Sequence, residues 1–193
     1  MYEFIKGTVA DINPARVVVE AGGVGYFINI SLNTYSKLNG KDEVKIYTHF
    51  AVREDAHVLY GFADKNERDL FRNLISVNGV GAATAIMMLS SLNYEDIVSA
   101  VATENITVLK SIKGIGIKTA QRIVIDLKDK LGKFQENAQN IFITDNTVRN
   151  EALSALTMLG FAKKDTENVV SKIMQEQPEI TVENVIKQAL RQM

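Results

Sequence analysis

The spacing of hydrophobic positions divides the chain into a first third typical of β-strands and a remainder typical of helices. Up to residue 63, β-branched and aromatic residues form short runs with partial alternation, and turn signals such as Asn13-Pro14 and Asn39-Gly40 separate the runs. Five short antiparallel strands in this length fit a small closed barrel, either an OB-fold or an SH3-like barrel. The predicted strands are Tyr2 to Ile12, Arg16 to Glu20, Tyr26 to Ser31, Glu43 to Phe50 and His57 to Phe62.

From Asp64 onward the apolar positions recur at helical spacing, and Asp64 with Glu67 forms a capping-box pair that would begin the first helix. Residues 133–146 are mainly polar and show no helical period, which predicts a flexible linker. Three short amphipathic helices are expected after it, the first ending at Gly160. The other predicted helices span about 85–91, Tyr94 to Val101 after an Asn93 cap, a short stretch after a Thr103 cap, and about Ile117 to Leu131.

These patterns predict an α+β protein of several domains. A β-barrel is expected over residues 1–63 and an all-α domain over residues 64–132. The linker over residues 133–146 would then lead to a three-helix module over residues 147–193. A module this small buries a marginal core, so it is expected to bind a partner rather than to carry out chemistry.

The helical region contains one glycine motif twice. Val77-Asn78-Gly79-Val80-Gly81 returns as Ile112-Lys113-Gly114-Ile115-Gly116, and Thr-Ala follows each copy at the same offset. Glycines at this spacing let the backbone adopt positive φ and bring its N–H groups close to another molecule. The helix that begins directly afterwards adds free N–H groups and the positive end of its dipole. Two such copies between helices predict a tandem helix-hairpin-helix that binds nucleic-acid phosphates.

The charge distribution supports a phosphate-binding role for the second copy. The net charge of the chain is only −1, yet the stretch from Lys110 to Lys133 holds seven basic and two acidic residues. Positive charge therefore coincides with the second hairpin and its helix. The candidate DNA-binding residues are Asn78, Gly79, Val80 and Gly81 in the first hairpin and Gly114, Ile115, Gly116, Lys118, Thr119 and Arg122 in the second.

Two enzymatic interpretations of the same glycines fail. A dinucleotide fingerprint needs a third glycine at the helix start directly after a strand, where this chain has Thr84 and Thr119. A Walker loop needs a glycine directly before the lysine, and Ile117 precedes Lys118 instead. ATP hydrolysis by this chain is therefore not expected.

Composition and residue types predict no catalytic, metal or cofactor site. The chain has no cysteine, which excludes disulfides, cysteine-ligated zinc and thiol catalysis and suits a reducing cytoplasm. Its two histidines, His49 and His57, lie in predicted strands without a pattern typical of metal ligands or a catalytic triad. The first residues do not resemble a signal peptide, and no run is long and apolar enough for a membrane span.

Several short sequence motifs, together with the order of domains, resemble those of the RuvA family of Holliday-junction branch-migration proteins. The resemblance covers the whole chain and includes both hairpins. Outside the hairpins the matching words are Gly22-Gly23-Val24-Gly25-Tyr26, Thr48 to Ala56 (THFAVREDA) and Leu59-Tyr60-Gly61-Phe62. One departure is Ala82-Ala83, since family members often carry a lysine just after the first hairpin's glycines. The first hairpin is thus expected to bind through backbone N–H groups, with charged contacts from Lys118 and Arg122.

The resemblance implies an OB-fold barrel and a cytoplasmic bacterial protein that acts in homologous recombination and DNA repair. It implies a homotetramer, or two tetramers forming an octamer, that holds a four-way junction open and flat. It also implies a hexameric ATPase partner, RuvB, that drives branch migration, and a resolvase partner, RuvC. Glu54 and Asp55 match the family's acidic pin, where carboxylates near the crossover repel phosphates and help to separate strands.

The three-helix module is expected to bind the motor. Met158-Leu159-Gly160-Phe161 resembles the Met-Gly-Phe loop of ubiquitin-associated domains, which present an apolar patch to partners. The matching module of the RuvA family docks on RuvB. The candidate RuvB-binding residues are Leu156, Leu159 and Phe161, although for Leu156 and Leu159 a place in the small core is an equal alternative.

Two other classes of function stay open on sequence alone. A tandem hairpin could belong to the DNA-binding module of a repair nuclease that acts on any bent duplex. The chain could also be a structural scaffold that binds no nucleic acid. Titration with a four-way junction and with linear duplex of equal length distinguishes all three.

Overall fold

The computed structural model describes residues 2–139, 144–177 and 180–192. The chain forms two compact units, Met1–Gly132 and Lys133–Met193. The first unit joins a barrel to a helical domain. The barrel elements are β1 (Phe4–Asn13), β2 (Arg16–Ala21), β3 (Val24–Ile30), α1 (Leu32–Leu38), β4 (Glu43–Val52) and β5 (His57–Phe62). The helices that follow are α2 (Lys65–Ile75), α3 (Ala82–Ser91), α4 (Tyr94–Ala102), α5 (Ile106–Lys110) and α6 (Ile117–Gln139).

The five strands form a closed barrel in the order β1-β2-β3-β5-β4, which is an OB-fold. The prediction of a closed barrel is confirmed, but the prediction that every pair is antiparallel is wrong, because β3 and β5 run parallel. The helix α1 between β3 and β4 was also missed, since its seven residues are too short for a helical period to emerge. Ser31 caps α1 by accepting a hydrogen bond from the Thr34 N–H.

Alternate residues of the strands fill the barrel with aliphatic side chains such as Val19, Ile28 and Ile46. Gly61 on β5 shows how tightly they pack. A Cβ atom at this position would lie 2.5 Å from Ile28 Cγ2 and 2.6 Å from Ile46 Cγ2. Only glycine therefore fits here without displacing the core.

A buried carboxylate joins the barrel to the helical domain. Glu67 of α2 accepts hydrogen bonds from the Ser31 hydroxyl and, at 2.8 Å, from the Thr34 hydroxyl. One half of the predicted capping box is present, because Asp64 Oδ1 accepts from the Glu67 N–H at 2.9 Å. The other half would use the Glu67 carboxylate, which instead accepts from the Ser31 and Thr34 hydroxyls. Burial raises the pKa of Glu67, and the two hydroxyl hydrogen bonds only partly offset that rise.

Replacing Glu67 with Gln is expected to remove a pH-dependent part of the stability. A raised pKa in the folded state means that, as pH rises, the folded protein keeps the Glu67 proton to a higher pH than the unfolded chain does. This contribution to stability is present below the unfolded pKa and is lost as pH rises through the folded pKa. Urea unfolding from pH 4 to 8 should show the parent losing stability relative to the variant as pH rises. A constant difference would contradict this, and Glu43→Gln, an exposed position, is the control.

Two helix boundaries differ from the sequence predictions. The cap of α5 is Asn105, whose Oδ1 accepts from the Val108 N–H at 3.2 Å, whereas Thr103 terminates α4. The helix α6 continues to Gln139 instead of ending near Leu131. Its extension passes through glutamine, glutamate and alanine residues, which favour helix despite Gly132. Part of the predicted linker is thus helical, and its residues 140–143 lie outside the described residues.

The second unit contains the helices α7 (Thr144–Met158), α8 (Lys163–Glu176) and α9 (Val182–Gln192), as the sequence predicted. A small core that includes Ala152, Val170 and Val185 packs between them. Gly160, with a φ of +97°, follows the end of α7 as the C′ residue that the sequence predicted. Gly160 N–H donates to the Thr157 carbonyl at 3.0 Å and Phe161 N–H to the Leu156 carbonyl at 3.2 Å, which is a Schellman motif. In the described part of the chain, no helix is long and apolar enough to cross a membrane.

Candidate nucleic-acid interface

The two glycine motifs fold into hairpins with the same backbone geometry. Gly79 has a φ of +91° and Gly114 a φ of +92°, a left-handed conformation that favours glycine. Within the first hairpin, the Val80 N–H donates to the Val77 carbonyl at 3.0 Å. The equivalent bond in the second hairpin, from Ile115 to Ile112, is 3.1 Å long. The sequence repeat is therefore a structural repeat.

The second glycine of each motif begins a helix. The Gly81 carbonyl accepts from the Ala85 N–H, and the Gly116 carbonyl from the Ala120 N–H, both at 2.9 Å. Gly81 has an ordinary extended backbone, with φ −84° and ψ 168°, and provides no side-chain cap. The first N–H groups of a helix have no partner within that helix, so both starts present donors to an external acceptor.

Nothing in the folded chain requires glycine at these two helix starts. The φ of Gly116, like that of Gly81, is not positive. A Cβ atom added at either position would meet no other atom within 4 Å. The space in front of each helix N-terminus is therefore free of side chains, and another molecule could approach the helix N–H groups closely.

Buried aliphatic side chains anchor the hairpins. Val80 and Ile115 are each only 5% exposed and belong to the core of the helical domain, together with Val77 and Ile112. The side chains of Val80 and Ile115 point into the protein, which is compatible with the predicted contact through backbone N–H groups. They fix the hairpin backbone, and only their main chain can face a ligand.

The polar candidates lie around the hairpins. Asn78 and Lys118 are exposed, and Thr119 is half-buried. Lys118 lies in the first turn of α6, where the first repeat has the exposed Ala83. The first turn of the helix thus carries an exposed lysine in the second repeat and an alanine at the equivalent position of the first.

Arg122 connects the two repeats. Its guanidinium donates to the backbone carbonyl of Asn78, in the other hairpin, at 3.3 Å. Two turns further along α6, Lys130 Nζ donates to the Ser76 hydroxyl at 3.1 Å. The residue that matches Arg122 in the first repeat is Met87, which has no donor. The repeat pattern alone gave no sign of this asymmetric link, which joins α6 to the start of the first hairpin.

Arg122→Met, which copies the residue of the first repeat, is expected to weaken DNA binding because the first hairpin loses its contact with α6. The salt dependence of the affinity should stay nearly unchanged, since the bond that is removed is to the protein. Affinity measured at several salt concentrations checks this. Lys118→Met is the contrasting variant, which should lower the slope of log affinity against log salt by about 0.9 per phosphate contact. An equal fall in slope for Arg122→Met would identify that residue as a phosphate ligand instead.

Part of the positive charge on α6 is already compensated. Lys128 forms an ion pair with Glu104, whose φ of 53° is the one positive value among described residues other than glycine. The hydrogen bond from Lys128 lowers the pKa of Glu104. Counting charges along the sequence missed this pair, because Glu104 lies outside the basic stretch.

Glu54 and Asp55 lie at the tip of the loop between β4 and β5, as the strand predictions implied. Val52 and His57 form the last pair of the two strands. The Arg53 N–H donates to the Ala56 carbonyl at 2.9 Å, which closes a tight turn. Both carboxylates are exposed. The barrel thus presents two adjacent negative charges on a short, well-formed projection.

The histidines are in structural surroundings. His49 packs half-buried against Phe71, with ring centroids 5.4 Å apart. Burial lowers its pKa, and the nearby Arg72 lowers it further. His57 is exposed beside Phe50. Among the residues that the structure describes, no cluster of histidine or carboxylate side chains could hold a metal ion.

The candidate partner surface of the second unit divides between core and solvent. Leu156 is fully buried in the core of the second unit, the alternative place that the sequence left open for it, so its side chain is not part of the exposed surface. Phe161 is partly buried and packs against the same core. Leu159 is 60% exposed and Met158 88% exposed, just before Gly160 ends the helix. At the end of α7 the exposed large apolar side chains are therefore Met158 and Leu159, with the partly buried Phe161 next to them in the chain.

Comparisons with known proteins agree over the whole chain. A model named RuvA N terminal domain matches residues 1–61, a SAM-like helix-hairpin-helix tandem matches residues 71–129, and the RuvA C-terminal domain matches residues 147–193. Proteins named Holliday junction branch migration complex subunit RuvA are 49% identical in Christiangramia forsetii and 48% identical in Bacteroides fragilis. Each of these comparisons covers 100% of both chains. The protein of that name from Flavobacterium psychrophilum is 48% identical over 191 residues, or 99% of each chain. The chain belongs to the RuvA family.

The RuvA matches coincide with the observed elements. The RuvA N-terminal match contains β1 to β4, all of β5 but its last residue, and the loop with Glu54 and Asp55. The tandem hairpin match contains both positive-φ glycines, Gly79 and Gly114. The RuvA C-terminal match contains α8, α9 and the exposed Met158 and Leu159. The OB-fold, the tandem hairpins and the helical C-terminal domain of the sequence prediction are thereby confirmed.

Proposed function

We propose that this chain is the DNA-binding subunit of a Holliday-junction branch-migration complex. The observation that carries the proposal is the pair of equivalent hairpins, each with a left-handed glycine and an open glycine at a helix start. Membership of the RuvA family adds the junction as the DNA substrate and RuvB as the motor partner. The subunit itself supplies no ATP hydrolysis, which comes from RuvB, and it works in the cytoplasm.

Each hairpin binds one phosphate of a DNA backbone in this proposal. The N–H groups after Gly81 and after Gly116 donate to phosphate oxygens, and the helix dipoles of α3 and α6 favour the negative charge. Lys118 adds a charge-assisted contact in the second hairpin. Because none of these groups reads a base edge, the binding is independent of sequence and falls steeply with salt.

Recognition of a four-way junction needs several copies of the chain. We propose a homotetramer, which can pair into an octamer, with the barrels near the centre and the hairpins holding the arms. The projecting Glu54 and Asp55 then lie near the crossover, where their charge repels phosphates and helps strands to part. The flat, open junction remains accessible to RuvC.

Titration with a four-way junction and with linear duplex of equal length tests the proposed function. The junction is expected to bind at least tenfold more tightly, and junctions of different sequence within tenfold of one another. Equal affinity for junction and duplex would favour a general DNA-binding module. Absence of binding to both would favour a scaffold without nucleic acid.

Neutralising the acidic loop with Glu54→Gln and Asp55→Asn is expected to tighten binding to linear duplex and to reduce the preference for junctions. The reason is that the loop carboxylates repel any phosphate brought close to them. The same titration measures both affinities, and a strand-exchange assay with RuvB measures the migration rate. Unchanged duplex affinity together with an unchanged rate would remove the loop from the mechanism. Asp42→Asn, an exposed acidic residue elsewhere on the barrel, is the control.

A further inference from the structure

Three lysines crowd the outer surface of the β1–β4 pair. Lys6 on β1 and Lys45 on β4 are direct partners in the strand register, so their side chains leave the sheet on the same side. Lys65, at the start of α2, places its ammonium 5.8 Å from the ring centroid of Tyr47, on the same strand as Lys45. We name Lys6, Lys45 and Lys65 the lysine face. None of the three forms an ion pair with a carboxylate of the residues that the structure describes.

Aromatic rings hold one of these ammonium groups in place. Phe4 and Tyr47 are also direct partners in the register and lie beside the two lysines. Lys45 Nζ is 4.1 Å from the centroid of Phe4 and 5.3 Å from that of Tyr47. A cation above a ring face is attracted by the ring quadrupole, which reduces the entropy that this long side chain would lose on binding.

Two of the three nearby carboxylates, Glu3 and Asp69, are engaged by arginines. Glu3 pairs with Arg68, whose hydrogen bond lowers the pKa of that carboxyl. Asp69 pairs with both Arg68 and Arg72. Glu43 is exposed and faces Thr8, two register positions from the Lys6–Lys45 pair and therefore on the same side of the sheet, and it forms no ion pair with the three lysines. Like charges directly opposite on a sheet are destabilising. Three ammonium groups beside one carboxylate leave this surface with a net positive charge, which an anionic ligand would compensate.

We propose that the lysine face binds phosphate groups of a nucleic-acid backbone, as a contact additional to the two hairpins. It rests on the proposed function, since the nucleic acid is the junction that the hairpins hold. Charge complementarity selects an anionic occupant. An open sheet surface with ammonium groups on two strands and a helix suits a row of phosphates better than a single enclosed anion, and lysine contacts phosphate as a compact point charge.

The test uses the full-length protein with Lys6, Lys45 and Lys65 all replaced by Gln. Junction affinity is measured at salt concentrations between about 50 and 200 mM, where backbone contacts dominate the salt dependence. The slope of log affinity against log salt should fall by about 0.9 for each phosphate that the variant no longer binds, with weaker binding at the lowest salt. The matched control carries Gln at Lys164, Lys172 and Lys187, three lysines of the second unit, and changes the net charge equally.

Each result decides the proposal. A slope and an affinity equal to those of the control overturn it. A changed oligomeric state by light scattering without DNA also overturns it, because the face would then bind an acidic surface of another copy. Should the triple variant fail to fold by circular dichroism, Lys45→Gln alone gives the same comparison at one phosphate. Loss of junction preference by the unchanged protein would instead reject the proposed function, and the slopes would then be measured with linear duplex.

Discussion

Valine at both Gly81 and Gly116 is expected to abolish tight junction binding while the protein remains folded. Neither position has a neighbouring atom within 4 Å of a new Cβ, and the backbone of Gly81 is extended, a conformation that valine adopts readily. The cost of valine at a helix start is about 1 kcal/mol per site. In the complex, however, the isopropyl group would occupy the space through which a phosphate oxygen reaches the helix N–H groups.

The expected loss is large because charge-assisted hydrogen bonds are strong. Each one contributes about 1.5–3 kcal/mol, so losing one per hairpin weakens binding by at least about a hundredfold. Fluorescence anisotropy with a labelled junction measures the affinity, and urea unfolding measures the stability. Junction affinity within threefold of the parent would show that the helix starts do not contact phosphate.

A contrasting pair of substitutions separates binding from folding. Gly79→Ala with Gly114→Ala places a Cβ on residues with φ of +91° and +92°, and this strain costs roughly 1–2 kcal/mol per site. Alanine at these positions should therefore lower stability as well as affinity. Valine at the helix starts should cost less stability than this and should lower affinity far more than stability. Gly79 and Gly114 are needed for their backbone conformation. Gly81 and Gly116 are needed, in this proposal, to leave room for an external molecule.

Local signals in the sequence predicted most of the fold. Strand and helix positions follow from residues within a few places of each other, and the repeated hairpin follows from glycines whose φ requirement is local. The parallel pairing of β3 with β5 is different, because it depends on how the whole barrel closes. The short α1 was missed because seven residues do not establish a helical period, and the contact of its Thr34 hydroxyl with Glu67 joins residues far apart in the chain.

The candidate site was predictable to the level of motifs and not of side-chain directions. The sequence placed Val80 and Ile115 within the hairpins, but a motif does not tell which side chains anchor the loop and which face a ligand. The contact of Arg122 with Asn78 joins residues 44 positions apart and leaves no periodic trace. The same holds for Leu156, which is buried. In a module of three short helices, the spacing of apolar residues does not decide which leucine faces the core and which faces solvent.

Aspartate at Leu159 is expected to abolish stimulation of the RuvB ATPase while junction binding stays intact. The side chain is 60% exposed beside Met158, which is 88% exposed, so a polar group there needs no burial. An exposed pair of apolar side chains at the end of a helix is typical of a surface that a partner covers. A carboxylate placed there would lose its water in the complex without gaining a partner, which weakens binding. We expect Met158→Asp to act in the same way.

Two further leucines make this prediction specific. Leu190 on α9 is 44% exposed, so Leu190→Asp is a matched change on another helix of the same unit and should leave stimulation unchanged. Leu156 is fully buried, and Leu156→Ala should cost about 2–5 kcal/mol of the unit's stability and reduce stimulation through unfolding. Circular dichroism of the second unit distinguishes these cases.

The measurement is ATP hydrolysis by RuvB with junction DNA present, alongside junction affinity by anisotropy. Loss of stimulation with a folded second unit and unchanged affinity would assign the Met158–Leu159 surface to the motor. Full stimulation by the Leu159→Asp variant would contradict that assignment. Loss of junction binding by the same variant would instead place the second unit at the DNA. A surface that contacts only RuvB would leave DNA binding by the hairpins, residues 77–81 and 112–116, unchanged.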